Sequence, residues 1–286
     1  MQLSDESAPI GLFDSGVGGL SVYLHLAKQL PNERYIYYAD TKNVPYGARS
    51  SDEIVRFTLA AVSWLYEQGC KLIVIACNSA SAYALDQARK LYPQLPIVGL
   101  VPALKPAVLA SKTKHVAVLA TQATLTGKLL NQVITEIAQP LETSVTKCFD
   151  PQLVPWVEAG MPAQDVTALR LSERLDEFHR LGIDHLVLGC THYPFFKPIL
   201  QTQIAQQNLG ITVVDSGAAI AARVQQLLAE TAPPSYRQLT LLPSDTISSP
   251  MLDFYATNYY PGIGDLVQSL ISQPVRLLSE QSIAYQ

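Results

Sequence analysis

The amino-acid sequence predicts an α/β protein of two similar parallel-sheet domains, related by a pseudo-twofold axis and facing each other across a crevice that holds the functional site. Three observations carry this. Apolar, β-branched runs alternate with segments of helical spacing along most of the chain, the pattern of parallel strands joined by right-handed crossovers. Two of these runs end at a cysteine and pass into polar and small residues: Lys71 to Ser81 reads KLIVIACNSAS, and His185 to Pro194 reads HLVLGCTHYP. Asp40 is followed four, five and six positions on by Val44, Pro45 and Tyr46, as Asp150 is by Val154, Pro155 and Trp156. With Asp14 matched to Thr121 and Cys77 to Cys190, the offset between equivalent positions rises slowly, as loop insertions in a duplicated unit make it do.

A first strand from Ile10 runs into Asp14-Ser15-Gly16-Val17-Gly18-Gly19, and a helical pattern from Leu20 to Leu30 closes at Pro31. A second strand, Tyr35 to Ala39, ends at Asp40. Ser51 or Asp52 is placed to cap a long helix whose apolar residues Ile54, Phe57, Ala61 and Leu65 share a face. The strand to Cys77, a helix over Ala80 to Leu91 and a strand from Ile97 to Val101 complete the first unit. The second repeats the plan. Strand His115 to Ala120 leads through Thr121 to Thr124 into a helix, a β-branched stretch covers Thr143 to Phe149, a helix spans about Asp165 to Leu181, and a last strand reaches Cys190. Beyond Gly210 come one more strand, a second Asp-Ser-Gly at Asp215 to Gly217, and a helix. The expected division is residues 1–101 with 212–286 for the first domain and 102–211 for the second. After Ala232 only Ile263 to Ile271 has helical spacing, and the tail predicts nothing further.

Composition narrows the function. At 286 residues and 48% hydrophobic content the chain has ample material for packed cores. A net charge of −4 with no Lys/Arg cluster gives no basic face for a nucleic acid. No apolar run approaches the ~20 residues of a membrane span, and the opening MQLSDESAPIGLF has no signal-peptide pattern. Four scattered cysteines (Cys70, Cys77, Cys148, Cys190) are not a disulfide framework, so reduced thiols in the cytoplasm are expected, acting on a small molecule.

Several motifs admit more than one reading. Gly16-Val17-Gly18-Gly19 after a strand approaches a dinucleotide fingerprint, but the position of its last glycine is Ser21, which argues against a nucleotide cofactor. The N–H groups of that turn can still hold an anion such as a carboxylate. Cys77 and Cys190 each follow a strand and precede a helical pattern, where a helix N-terminus lowers a thiol pKa toward neutrality; Cys70 and Cys148 read as buried packing residues. Without C-x-x-C or H-E-x-x-H, neither zinc nor disulfide exchange is supported. His192, two positions from Cys190, reads as a residue that tunes the thiol or as a packed core histidine. Asp14 reads as a functional carboxylate or a cap of the glycine turn, and Glu158 as a functional carboxylate or an exposed loop charge.

Taken in order, Asp14-Ser15-Gly16-Val17-Gly18-Gly19, Pro45-Tyr46-Gly47, Ala76-Cys77-Asn78-Ser79-Ala80 and Gly189-Cys190-Thr191-His192-Tyr193-Pro194 resemble the glutamate racemases of the aspartate/glutamate racemase family. The resemblance spans about Ile10 to Glu230 and departs at Ser79, where the family usually carries threonine. It implies Cys77 and Cys190 as paired catalytic acid/bases, assisted by Asp14, Glu158 and His192. It implies glutamate contacts from Asp14, Ser15, Tyr46, Gly47, Asn78, Ser79, Thr191 and His192, with Thr121 and Thr124 as further candidates. It also implies a cytoplasmic homodimer that supplies D-glutamate for peptidoglycan and uses neither metal nor pyridoxal phosphate or other cofactor.

Overall fold

The computed structural model describes residues 7–231, 252–273 and 275–278. In chain order it contains β1 (Ile10–Asp14), α1 (Leu20–Gln29), β2 (Tyr35–Ala39), α2 (Ser51–Glu67), β3 (Leu72–Ile75), α3 (Asn78–Leu91), β4 (Ile97–Gly99), α4 (Leu104–Ala110), β5 (His115–Ala120), α5 (Gln122–Thr126) and α6 (Lys128–Val133). There follow β6 (Ser144–Cys148), α7 (Leu153–Glu158), α8 (Val166–Arg180), β7 (His185–Gly189), α9 (Lys197–Gln207), β8 (Thr212–Val214), α10 (Gly217–Thr231), β9 (Leu252–Ala256), α11 (Ile263–Ile271) and β10 (Val275–Leu277). Short 3₁₀ turns lie at Tyr46–Ala48 and Tyr193–Phe196.

The strands form two sheets, parallel throughout, in the orders β10-β9-β2-β1-β3-β4 and β6-β5-β7-β8. The run β2-β1-β3-β4 has the same connectivity as β6-β5-β7-β8, so the duplication read from the side chains is a duplication of topology. Register adjusts the expected equivalences by one residue. Phe13 pairs with Ile75 and Ala120 with Gly189; extending both strands sets Ser15 level with Cys77 and Thr121 level with Cys190. Thr121 therefore corresponds to Ser15, not Asp14, and because strand side chains alternate in direction this decides which face each one serves.

Two expectations are corrected at the carboxyl-terminal end. The sequence places residues from 212 onward in the first unit, yet β8 pairs with β7 and completes the second sheet. The chain returns only at α10, whose Ile220, Ala221, Val224 and Leu228 pack with α1 and the first sheet. The tail also holds more than α11: β9 lies along β2 and β10 along β9, widening the first sheet to six strands. Residues 232–251 and 279–286, part of that tail, lie outside the described residues.

Local chemistry explains the helices that carry the site. Ser50, one residue before the expected caps, starts α2 in a capping box: its hydroxyl accepts from Glu53 N–H and the Glu53 carboxylate accepts from Ser50 N–H. Asp165 caps α8 by accepting from Thr167 N–H at 2.8 Å. The first sheet is buried on both faces. Leu12, Tyr37, Val74 and Phe254 pack toward α1 and α10, while Phe13, Ile73 and Ile75 pack toward α2 and α3. Phe254 of β9 is fully buried, and its ring stacks on Tyr37 at 5.2 Å between centroids.

If β9 is an integral strand and not an appendage, Phe254→Ala should cost about 3–5 kcal/mol, the usual penalty for emptying an aromatic core site. Chemical denaturation of the full chain measures this; a loss below about 1 kcal/mol would show β9 to be dispensable.

Candidate active site

Both cysteines stand just past the carboxyl ends of their strands, where parallel α/β sheets present their ligand sites, and they line one crevice between the units. Ser15, Tyr46, Gly47, Asn78 and Ser79 line it from the first unit; Thr121, Thr191 and His192 line it from the second. Its volume is about 10 Å³, the space of a single water.

Cys77 is the N-cap of α3, and its sulfur accepts from Ala80 N–H at 3.4 Å. Its thiol also donates to Ser15 Oγ at 3.7 Å. The helix N-terminus was expected to draw its pKa toward neutrality. Burial wins instead, with the nearby Asp14 charge adding to it, and Cys77 is pushed up to about 12 despite the two hydrogen bonds. Burial thus favours its protonated form. A charge on Cys190 raises it further, so the two sulfurs lie within electrostatic reach of each other.

Cys190 does not sit at an α-helix start, contrary to expectation, because the 3₁₀ turn Tyr193–Phe196 separates it from α9. Its partner is His192, whose Nδ1 lies 3.7 Å from the sulfur. On the other side of the ring, Nε2 meets Glu158 Oε1 at 2.7 Å. Burial opposes a charge on this imidazole, yet the bonds to Cys190 and Glu158 and their negative charge outweigh it, and His192 is held well above its ordinary value. The two thiols thus have different neighbours: a helix end and a serine for Cys77, a buried imidazole–carboxylate pair for Cys190.

The glycine turn joins the units. Val17 N–H donates to Glu158 Oε1 at 2.9 Å, so the anion expected at this turn is a carboxylate of the chain itself. A Cβ on Gly16 would stand 2.0 Å from that oxygen, and one on Gly18 would stand 2.3 Å from His192 Nδ1. The glycines are therefore required by the close approach of the second unit. Asp14 is fully buried, with Oδ1 accepting from Gly16 N–H and Oδ2 from Thr191 Oγ1–H, both at 2.9 Å. Burial raises its pKa, partly offset by the His192 charge. Its bond to Gly16 is an Asx turn; the N-cap of α1 is Gly19. With both oxygens engaged, Asp14 reaches the crevice through Thr191.

Opposite lies a row of hydroxyls: Ser79 Oγ meets Thr121 Oγ1 at 2.8 Å, and Thr121 Oγ1 meets Thr124 Oγ1 at 3.0 Å. Thr124 therefore supports the crevice through Thr121. Asn78 Oδ1 is buried with no hydrogen-bond partner among the described residues. The Tyr46 hydroxyl donates to Asp40 Oδ2 at 2.6 Å, leaving its ring and backbone to the crevice.

All the residues singled out from the sequence converge here: most line the crevice, and Asp14, Glu158 and Thr124 bond those that do. Sequence reasoning passed over Pro45 and Val154 as lining residues, although both belong to the duplicated Val-Pro-aromatic segments. It also passed over Tyr37, whose hydroxyl donates to Gly16 O at 2.9 Å and fixes the glycine turn; inside an apolar strand it carried no signal. Among the described residues, no group of three or more His, Cys, Asp or Glu side chains is placed to hold a metal ion, and no helix is long and apolar enough to cross a membrane.

Two thiols line one crevice, each with its own polar neighbours. The sequence model of the Asp/Glu/Hydantoin racemases matches residues 10–224. The chain belongs to that family. Among curated relatives of this racemase, the glutamate racemase of Deinococcus radiodurans is 46% identical over 220 residues, spanning 77% of this chain and 74% of that protein. That of Ectopseudomonas mendocina is 40% identical, spanning 80% and 85%. Among solved structures, glutamate racemase from Francisella tularensis in complex with D-glutamate superposes with a TM-score of 0.76 at 28% identity, covering 98% of this chain and 99% of that one. The Escherichia coli enzyme, in complex with L-glutamate and the activator UDP-MurNAc-Ala, gives 0.76 at 32% identity, covering 95% and 98%.

Glu158→Gln should lower the His192 pKa, because the ring loses its carboxylate; NMR titration of the imidazole reads the shift, and an unmoved midpoint would remove Glu158 from that role. The sign for stability follows. His192 titrates higher in the folded chain than its unfolded value of about 6.5, so its stabilisation is complete below that value and is lost as pH rises through the folded one. The stability gap between the parent and Glu158→Gln should therefore narrow toward alkaline pH.

Proposed function

We propose that this chain is a glutamate racemase that interconverts L- and D-glutamate by two-base proton transfer between Cys77 and Cys190. The observation that carries the reading is that the two sulfurs end equivalent strands of a duplicated fold and line one crevice from its two units. One sulfur, as thiolate, takes the α-proton; the C–H electron pair stays on the α-carbon as a carbanion; the opposite thiol delivers its proton to the other face. The centre inverts, and the two cysteines have exchanged protonation states.

The environments fit this division. In the direction from L-glutamate, the resemblance assigns proton removal to Cys190, which has the His192 ring beside it. Cys77, kept as a thiol by burial, is the donor. The reverse direction asks Cys77 to act as base, supported by Ala80 N–H and the start of α3. The scheme calls on no pyridoxal ring, so charge developing on the α-carboxylate has to be met by preorganised donors, for which Asn78, Ser79 and Thr191 are placed. The free Asn78 Oδ1 is an acceptor suited to the substrate ammonium. Asp14 orients Thr191, and Glu158 orients His192. A cytoplasmic homodimer and a role in supplying D-glutamate to peptidoglycan rest on the same resemblance.

Circular dichroism on L- and D-glutamate without added cofactor tests the assignment, with aspartate and other amino acids as a panel. Cys77→Ala and Cys190→Ala should each reduce interconversion to background while the fold is retained. Near-parental turnover in either variant would end the two-thiol mechanism, and a faster rate on aspartate than on glutamate would end the substrate assignment.

A further inference from the structure

The second unit has an opening where the first is filled. Between the first sheet and α2, the rings of Phe13 and Tyr38 lie 5.9 Å apart, Tyr38 and Trp64 5.2 Å, and Trp64 stacks on Tyr255 of β9 at 4.8 Å. The register that equates Cys77 with Cys190 sets Leu119 at the place of Phe13 and Cys148 at that of Tyr38. Among the described residues no strand pairs outside β6 as β9 does outside β2. Smaller side chains and an uncovered edge leave a cleft of about 300 Å³ between the end of β6 and α8, sharing no lining residue with the crevice. That volume suits a small ligand.

Its chemistry is specific. Leu153 and Leu171 line the floor, and the rim carries three arginines and three carboxylates, a balance that favours neither a bare anion nor a bare cation. Arg170 Nε is buried with no hydrogen bond among the described residues. Its ion-pair partner Asp150 Oδ2 lies 3.6 Å away, beyond hydrogen-bond range. The same guanidinium donates through Nη2 to Thr167 Oγ1 at 3.2 Å, and a carboxylate taking the place of Asp150 beside it gains a charge-assisted contact. We propose that this cleft binds a small zwitterionic amino acid with a short aliphatic side chain, its carboxylate on Arg170 and its ammonium between Asp150 and Glu173.

The cleft is wired to the crevice by one short helix. Leu153, in its floor, opens α7; Val154 lines the crevice; Glu158, the last residue of α7, holds His192. Asp150 also accepts from Gln152 N–H at 2.8 Å, just before α7. A ligand that draws Arg170 away from Asp150 therefore acts on the helix that positions the imidazole. Binding stands on the cleft alone, whereas this coupling rests on the proposed racemase chemistry.

Calorimetric titration of the full chain with L-alanine tests binding, with propionate and ethylamine as its anionic and cationic halves. Saturable binding of one L-alanine per chain is expected, undiminished by glutamate. Both halves should bind at least about tenfold more weakly, and Arg170→Gln and the exposed Glu173→Gln should each weaken it by about tenfold or more, the worth of one hydrogen bond to a charged group. No saturable heat, displacement by glutamate, equal binding of propionate, or binding that survives both substitutions would overturn the site. A change in glutamate turnover with L-alanine, lost in Glu173→Gln, supports the coupling; binding with turnover unchanged removes the coupling and keeps the site.

Discussion

One carboxylate oxygen bridges the two halves of the site at its most crowded point. Glu158 Oε1 accepts from the Val17 backbone N–H of the first unit while it meets His192 Nε2 of the second. Around this contact the units approach so closely that Gly16 and Gly18 have no room for a Cβ. Thr191 adds to the junction, donating to Asp14 and accepting at its carbonyl from Ser21 Oγ–H. What reads in one dimension as a nucleotide-type glycine turn is in three dimensions a docking seam, and the same atoms that close the seam set the protonation of His192 beside Cys190.

Duplication gives the site its two-sidedness, and departures from duplication give it chemistry. Equivalent strand ends place Ser15 beside Cys77 and Thr121 level with Cys190, while the residues two past each cysteine differ: Ser79 on one side, His192 on the other. Ser79 joins a row of hydroxyls across the crevice; His192 forms a buried imidazole–carboxylate pair. One thiol is therefore held protonated by burial, and the other stands beside a ring held above its ordinary pKa. The two sulfurs of one crevice thus stand in unequal surroundings, as the proposed relay requires of groups that exchange roles with the substrate enantiomer.

The paired cysteine segments and the Asp–Val–Pro–aromatic match were legible because they combine strand periodicity with chemically distinctive side chains at fixed spacing. Other features were not. β9 and β10 are short and follow a stretch rich in proline and serine; β9 owes its place to pairing with β2 and β10 to pairing with β9, and the long-range contact with β2 leaves no local periodicity. β8 carries the same kind of pattern whichever sheet receives it, so its partner could be found only from the fold. The one-residue slip between Asp14 and Ser15 arose because spacing counts residues while register counts hydrogen bonds. For Cys77, sequence showed the helix that lowers a thiol pKa but not the burial that raises it more.

The most direct test of the opposed-thiol account is the fate of deuterium during early turnover of L-glutamate in D₂O. If separate groups serve the two faces, D-glutamate should carry deuterium at the α-carbon from the first turnovers while the remaining L-glutamate keeps its proton. Deuterium entering the L-glutamate pool as fast as the product would mean that one group serves both faces, which the account does not allow.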